Sequence, residues 1–304
     1  MSVTDKISQS NQIPSKPSCL NQFKYGVLRG MFRTVGKLSR GIQIGWQYGF
    51  DSGESLDYVY ENQAEGVGPL GKALDRLYLN SAGWNGIRTR GANIKEAIRG
   101  AIYSSLETKD AVELVDIASG PGRYVLDVLA GTQLKGIVLA HLFDVDNNGL
   151  AFGKERAKDL GIDSIEFQYR DAFAEETDPA IKERADVAIA SGLYELFSDN
   201  AMVSQSLSVL AERVRDNGYL IYTNQPWHPQ LEFIAEVLTN RYGQPWVMRC
   251  RSQEEMDGLV RAAGFEKLSM KADEAGIFTV SVARKVPKHD AGASFRTLAS
   301  SVAA

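Results

Sequence analysis

A short apolar run that ends in a glycine-containing turn is the feature that most constrains the fold of this chain. Val112 to Ile117 has the composition of a buried strand, and the turn Ala118-Ser-Gly-Pro-Gly122 and an apolar stretch with helical spacing follow it. Glycines let the backbone of a turn approach a ligand, and the N–H groups at a helix start then face that ligand. This unit is typical of doubly wound α/β folds that bind nucleotide-like ligands. An ordinary strand–turn–helix corner is the alternative.

An acidic residue precedes this turn. The turn matches the dinucleotide pattern G-x-G-x-x-G only weakly, because Val125 stands at the third glycine position. The carboxylate of Asp116 would repel a pyrophosphate, whereas it would attract an ammonium group. The sequence therefore favours a ligand with a cationic end.

Two further apolar strands end in aspartate. The run 136–143 is followed by Asp144, and the alternating run 164–173 contains Asp171. Because parallel strands end at one edge of a sheet, these carboxylates are predicted to lie near the turn after the first strand. Asp144 is placed to accept hydrogen bonds from ribose hydroxyls, although an Asn147 or Asn148 helix cap would also explain this segment.

Residues 112–284 resemble a class I methyltransferase that uses S-adenosylmethionine (SAM), whose amino-acid end carries an ammonium group. The usual motif E/D-x-G-x-G-x-G stands here as D-x-A-S-G-P-G. The resemblance implies a Rossmann-like sheet of seven strands, the last one antiparallel, with an N-terminal helical lid. It implies methionine contacts at Asp116, Ala118, Gly120 and Gly122, a ribose contact at Asp144, and adenine contacts at Asp171, Ala172 and Phe173.

A closer resemblance covers most of residues 40–284. It is to a little-characterised bacterial group of methyltransferase-like proteins, some of which are fused to α/β-hydrolase domains. Its motifs stand here as Gly49-Phe-Asp-Ser-Gly53, Leu56-Asp-Tyr-Val-Tyr60, Tyr78-Leu-Asn80, Gly83-Trp84, Gly86-Ile-Arg88 and Gly120-x-Gly-Arg-Tyr-Val-Leu126. The group usually has His where this chain has Pro121. This resemblance implies the fold and the cofactor better than the substrate.

Composition narrows the function classes. Apolar residues make up 44% of the 304 residues, which suffices for a full core, and the net charge of -4 disfavours nucleic acid as a partner. Two cysteines and three histidines make a metal site improbable. Since we find neither a membrane-spanning run nor a signal peptide, we expect a cytoplasmic protein with a small-molecule substrate and no integral membrane contact. A homo-oligomer is compatible with the sequence.

Composition also divides the chain into segments. We predict a disordered N-terminus (1–20), a helical lid (21–105), the SAM-binding domain (106–286) and a flexible tail (287–304). In the lid, Phe23, Val27, Met31, Val35 and Leu38 recur at helical spacing among basic residues, and no Asp or Glu occurs between Lys6 and Phe50. A basic amphipathic helix is typical of membrane surfaces. Glycines within it favour packing on the enzyme instead.

Aromatic residues are concentrated ahead of the first strand. Seven occur in residues 46–84, compared with 9% aromatic residues in the whole chain. Ring faces attract cations, so they suit a sulfonium, although lid packing alone would explain any single ring. We expect at least one of Tyr58, Tyr60 and Tyr78 to face the ligand.

The fourth and fifth strands supply the candidate substrate contacts. The run Ala185 to Ser191 leads to Tyr194 and Glu195, which we predict to contact substrate above Ser191; Glu195 could instead be a helix N-terminal acid. The fifth strand exits at Asn224 to Pro229, where His228 is either a base or a structural residue.

Three reactions remain open on these residues. The first is methyl transfer from SAM to a small acceptor. The second is cyclisation of SAM alone to azetidine-2-carboxylate, with release of methylthioadenosine. The third is a SAM-binding module without catalysis. No metal is required by any of them.

Overall fold

The computed structural model describes Ile7, Pro14 and residues 18–174 and 184–287. Most of the predicted disordered N-terminus and of the predicted tail lies outside the described residues. Within segment 1–20, Ser18 caps the helix that begins with Cys19 and Leu20.

The N-terminal helical region packs as one layer. Serine side chains accept backbone N–H groups at three of its helix starts, at Ser18, Ser39 and Ser52. The helices are α1 (Cys19–Arg33), α2 (Arg40–Tyr48), α3 (Gly53–Glu61), α4 (Gly68–Leu79) and α5 (Ala82–Leu106), with a 3-10 turn at Val35–Leu38.

The rest of the chain alternates strands and helices, as predicted. The strands are β1 (Val112–Ile117), β2 (Val138–Asp144), β3 (Ile165–Tyr169), β4 (Ala185–Ala190), β5 (Val214–Asn224), β6 (Phe265–Ala272) and β7 (Thr279–Lys285). The helices are α6 (Arg123–Leu129), α7 (Asn147–Asp159), α8 (Asn200–Arg213), α9 (Leu231–Val237) and α10 (Gln253–Ala262).

The seven strands form one sheet in the order β3-β2-β1-β4-β5-β7-β6, in which β7 runs in the direction opposite to the other six. Ile117 at the end of β1 pairs with Phe143 of β2 on one side and with Ala190 of β4 on the other. The register therefore brings the segments after β1, β2 and β4 to one edge. The strand order reverses here, which is where doubly wound folds bind ligands.

Helix α5 joins the two layers. Ile94, Ile98 and Ile102 are fully buried in the core beside the sheet, whereas Trp84 and Ile87 are buried among the N-terminal helices. The boundary predicted at residue 105 thus lies at the end of a helix that both layers share.

Helix α1 packs on the protein as expected, but with a different face. Tyr25 is buried and Leu28 and Phe32 are partly buried, while the predicted apolar face containing Phe23 and Val27 is exposed. The packing face depends on the partner helix α9, which local periodicity does not reveal.

Candidate functional site

The turn after β1 adopts the left-handed backbone that glycine favours. The φ angles are 52° at Ala118, 54° at Gly120 and 70° at Gly122. A Cβ on Gly122 would lie 2.2 Å from Leu142 Cδ2, so no larger residue fits between this turn and β2. Ala118 stands where the family motif has glycine, and it keeps the same conformation at a cost of roughly 1–2 kcal/mol.

Asp144 is held by this turn. Its two carboxylate oxygens accept the backbone N–H groups of Gly120 at 2.7 Å and of Asp146 at 2.9 Å. An ionised carboxylate offers roughly four acceptor positions, so two remain for a ligand. The helix that follows is capped by Asp146, whose carboxylate accepts the N–H of Asn148 at 3.0 Å, and not by Asn147 or Asn148 as the sequence suggested.

Asp116 lies behind the turn. It is only 2% exposed and is not among the residues that line the cavity described below. Burial raises the pKa of Asp116 well above its ordinary value, and the nearby Asp144 carboxylate raises it further. A cation placed beside the pair would reverse both effects and favour the ionised form.

A cavity of about 690 Å³ opens over this edge of the sheet. Its sheet-edge wall consists of the segments after β1, β2 and β4. Its helical wall comes from α1–α5 and the turn after α1, and a third part comes from the chain after β5. The lining includes Ala118, Gly120 and Asp144 on the sheet-edge wall, Tyr60, Tyr78, Trp84 and Arg90 on the helical wall, and His228, Trp246 and Phe278 beyond β5.

Arg90 and Glu195 form a buried ion pair that joins the two walls. The Nη1 atom of Arg90 lies 3.3 Å from Oε1 of Glu195, and the side chains are only 4% and 7% exposed. The guanidinium also lies 4.9 Å from the ring centroid of Phe278. Within the described part of the chain, Glu195 Oε2 and the neighbouring Ser191 Oγ are buried without a hydrogen-bond partner. Such atoms are costly unless a ligand satisfies them.

Two of the three predicted tyrosines line the cavity. The hydroxyl of Tyr60 is hydrogen-bonded to that of Tyr124, and burial raises the pKa of Tyr60. Tyr78 also lines the cavity, with its ring edge-on to Trp84 at 5.6 Å. Tyr58 does not, because its hydroxyl donates to the fully buried Asp75 in the core of the helical region.

The prediction for Tyr194 needs correction. Tyr194 does not line the cavity; its hydroxyl lies 3.3 Å from Ser206 Oγ of α8, in the core below the loop. It turns inward because the 3-10 turn at 194–196 places successive side chains on different sides, so that Glu195 reaches the cavity instead.

The predicted adenine contacts lie outside the cavity lining. Asp171 accepts the backbone N–H of Phe173 at 2.9 Å, and Ala172 is buried between them. The ring of Phe173 packs edge-on against Phe197 at 4.5 Å, and Phe197 lines the cavity. The loop after β3 therefore meets the cavity through one aromatic contact.

His228 is buried and faces α5. Its Nδ1 accepts the N–H of Gln230 at 3.0 Å, so the neutral ring carries its proton on Nε2, beside Gly83. Burial lowers the pKa of His228 to about 4. The neutral ring therefore presents a donor at Nε2, an arrangement that fits the structural alternative for His228 better than the base.

Sequence reasoning missed Arg90, Tyr124 and Trp246. Arg90 lies on the buried face of α5, three residues after Ile87 and four before Ile94. A basic residue at an apolar helical position is the signal that could have identified it. Nothing local distinguished Trp246, whose buried Nε1 lies in the cavity lining and whose ring stacks on Trp84 at 6.2 Å.

Two kinds of feature are absent from the described residues. No group of three or more His, Cys, Asp or Glu side chains there could hold a metal ion. None of the helices described is long and apolar enough to cross a membrane.

Comparison with known proteins identifies the family. A family model described as "Putative methyltransferase" matches residues 2–285. The chain belongs to this family. A curated relative, the uncharacterized protein YnbC of Escherichia coli K12, is 48% identical over 261 residues, which make up 85% of this chain and 44% of YnbC. The chain thus spans less than half the length of that relative.

Solved structures share the fold. A possible exported protein from Bordetella parapertussis has a TM-score of 0.63 at 15% identity, over 94% of this chain and 98% of that one. The CurJ carbon methyltransferase has a TM-score of 0.56 at 15% identity, over 90% and 72%. Magnesium protoporphyrin IX methyltransferase from Synechocystis PCC 6803, solved with SAH, has 0.54 at 11%, over 86% and 99%. These similarities and the strand order confirm the predicted class I methyltransferase fold.

Proposed function

We propose that this protein transfers a methyl group from SAM to a small acceptor that carries a hydroxyl or amine and an apolar body. One observation carries the proposal: a single cavity reaches from the turn after β1, past the Arg90–Glu195 pair, to the rings of the helical wall. Its volume of about 690 Å³ is in the range of small-molecule sites. A reaction of SAM alone would need only the sheet-edge part.

The sheet-edge wall fits the chemistry of SAM. Asp144 has acceptor positions free for the ribose, and Gly120, which lines the cavity with nothing within 4 Å of its Cβ position, leaves room for close approach of the methionine end. Gly122 supports this turn from behind, where it packs against Leu142. The ammonium group would approach the Asp144 carboxylate in the cavity wall, with the Asp116 carboxylate buried behind the turn and near enough to Asp144 to interact with it. Asp171, Ala172 and Phe173 remain the proposed adenine contacts, and they reach the cavity through Phe197.

The Arg90–Glu195 region fits an acceptor. When bound, SAM supplies a methyl group on a positively charged sulfur. Glu195 Oε2 and Ser191 Oγ can accept a hydrogen bond from the acceptor, and Glu195 can take its proton, while Arg90 holds that carboxylate in place. The rings of Tyr60 and Tyr78 exclude water and suit a cation. Alignment of the acceptor is then the main contribution to rate.

The product formed from SAM tests the reaction. We expect pure protein to release S-adenosylhomocysteine, by mass spectrometry, only when a metabolite extract supplies an acceptor. Methylthioadenosine from SAM alone would indicate cyclisation or cleavage and would overturn methyl transfer. Binding without turnover in either mixture would indicate a binding module.

Asp144→Ala tests the cofactor assignment. Loss of hydrogen bonds to a charged group costs about 1.5–3 kcal/mol, so SAM binding measured by calorimetry should weaken about 10- to 100-fold. Asp163→Asn removes an exposed carboxylate as a control and should leave binding unchanged. Equal affinity in Asp144→Ala and the natural protein would remove Asp144 from the ribose role.

Proton release tests the role of Asp116. Burial raises the pKa of Asp116, and a nearby ammonium group would lower that pKa again, so we expect SAM binding to be coupled to the release of a proton. Calorimetry in two buffers with different ionisation heats should detect this proton release in the natural protein and not in Asp116→Asn. The same proton release in both proteins would place the ammonium elsewhere.

A further inference from the structure

An apolar stripe on α1 points outward. Leu20, Phe23, Val27, Met31 and Val35 are 79%, 73%, 49%, 53% and 49% exposed. They recur every three or four residues, so they form one continuous line along the helix and onto the turn after it. A contiguous exposed stripe, unlike scattered apolar residues, marks an interaction surface.

The stripe continues into the rim of the cavity. Met31 and Val35 line the cavity, and so do Leu77, Tyr242 and Val247, which are 72%, 75% and 51% exposed. These five side chains face both the cavity and the exterior. The stripe and these rim residues together are called the apolar face here, and the cavity opens within it.

Helix α1, the 3-10 turn after it and the start of α2 carry positive charge beside the stripe. Lys24, Arg33, Lys37 and Arg40 are exposed, and in the described residues none of the four forms an ion pair with an acidic side chain. No Asp or Glu occurs between residues 7 and 50, although the whole chain has a net charge of -4. The positive charge is therefore concentrated along this edge.

Acidic residues meet the opposite side of α1. Glu232 of α9 accepts the hydroxyl of Tyr25 at 3.0 Å, and Glu236 lies 3.7 Å from Arg29. These two carboxylates belong to the packed interface with α9. They leave the outward side of the helix with its lysines and arginines.

We propose that the apolar face binds the surface of a membrane that contains anionic lipid, with α1 lying in the interface and the cavity mouth directed toward lipid. Apolar residues on one side of a helix and basic residues beside them are what such binding requires. A second copy of the chain fits less well, because a twofold contact would bring the same positive charges together. The inference does not depend on the proposed function.

Vesicle sedimentation tests this proposal with the full chain. We expect binding to vesicles of equal parts phosphatidylcholine and phosphatidylglycerol, weaker binding to phosphatidylcholine alone, and release by added salt. Leu20→Ser with Phe23→Ser should abolish binding, and circular dichroism should show the fold unchanged, because both side chains are exposed. Absence of binding by the natural protein overturns the proposal.

A charge variant tests whether the lysines beside the stripe, and not the total charge of the protein, attract the anionic vesicle. Lys24→Gln with Lys37→Gln should weaken vesicle binding about fivefold for each lysine. The matched control, Lys154→Gln with Lys158→Gln on α7, removes two exposed lysines elsewhere and should change little. Equal losses of vesicle binding in the two lysine variants would show the proposal to be wrong. It would also be wrong if the natural protein did not bind vesicles but formed a dimer that Leu20→Ser with Phe23→Ser dissociates.

Discussion

The two walls of the cavity are built in different ways. The sheet-edge wall is backbone held by carboxylates, as where Asp144 accepts the N–H of Gly120 at 2.7 Å. In the helical wall, two rings rest directly on helix backbone: a Cβ on Gly91 would lie 2.8 Å from Tyr60, and one on Gly41 would lie 2.4 Å from Tyr78.

Because of this difference, the two walls should respond differently to side-chain substitutions. Sheet register fixes the sheet-edge wall, so its geometry survives most side-chain changes. Side-chain packing fixes the helical wall, where a single added methyl group meets a ring. The Arg90–Glu195 pair connects the walls, since α5 supplies the arginine and the loop after β4 supplies the glutamate.

The largest effect is expected at that connection. Arg90→Met should lower the free energy of unfolding in urea by about 3–5 kcal/mol, because it leaves the Glu195 carboxylate buried without its partner. The double variant Arg90→Met/Glu195→Leu should recover most of the loss, since it removes both charges. Lys271→Met, which breaks an exposed ion pair with Glu96, is the control and should cost under about 1 kcal/mol. If Arg90→Met costs no more than this control, the pair does not hold the walls together.

His228 should make the stability of the protein sensitive to acid. Its pKa is lowered to about 4 by burial, so between pH 6.5 and 4 the unfolded chain takes up a proton that the folded chain does not. The free energy of unfolding should therefore fall as pH drops, by up to about 3 kcal/mol from this group. His228→Gln should flatten this dependence in urea denaturation curves.

Asp116 contributes with the opposite sign in the same pH range. Burial raises its pKa in the folded protein, so the folded chain keeps a proton that the unfolded chain loses, and stability rises as pH falls. The effect of the histidine is therefore isolated by the difference in free energy of unfolding between the natural protein and His228→Gln, measured as a function of pH. A difference independent of pH would mean that His228 is not held neutral in the fold.

Two glycines of α5 differ in their surroundings: Gly91 contacts the Tyr60 ring, whereas Gly100 faces open space. Gly91→Ala should destabilise the protein by about 1–3 kcal/mol, because the new methyl group displaces the Tyr60 ring. Gly100→Ala meets nothing within 4 Å and should stabilise the helix by about 0.5–1 kcal/mol. Thermal unfolding measures both. The same sign in the two variants would show that ring packing does not shape the helical wall.

Much of the sheet-edge wall could be predicted from sequence. The strand that ends at Ile117 and the adjacency of Gly120 and Asp144 follow from local patterns, because parallel strands end together. The pairing of Arg90 with Glu195 could not, since 105 residues separate them. Tyr194 was misplaced because one residue of rotation in a short turn decides which side chain reaches the cavity.

The exposed face of α1 shows the same limit. Periodicity located its apolar stripe correctly but predicted it to be buried, and the structure packs Tyr25 against α9 instead.

By itself, the sequence determined the succession of strands and helices and the glycine turn with its acidic neighbours, because these depend on residues close together in the chain. Tertiary structure alone decided which ring, which arginine and which helix face meet the cavity, because those outcomes depend on packing between segments far apart in sequence.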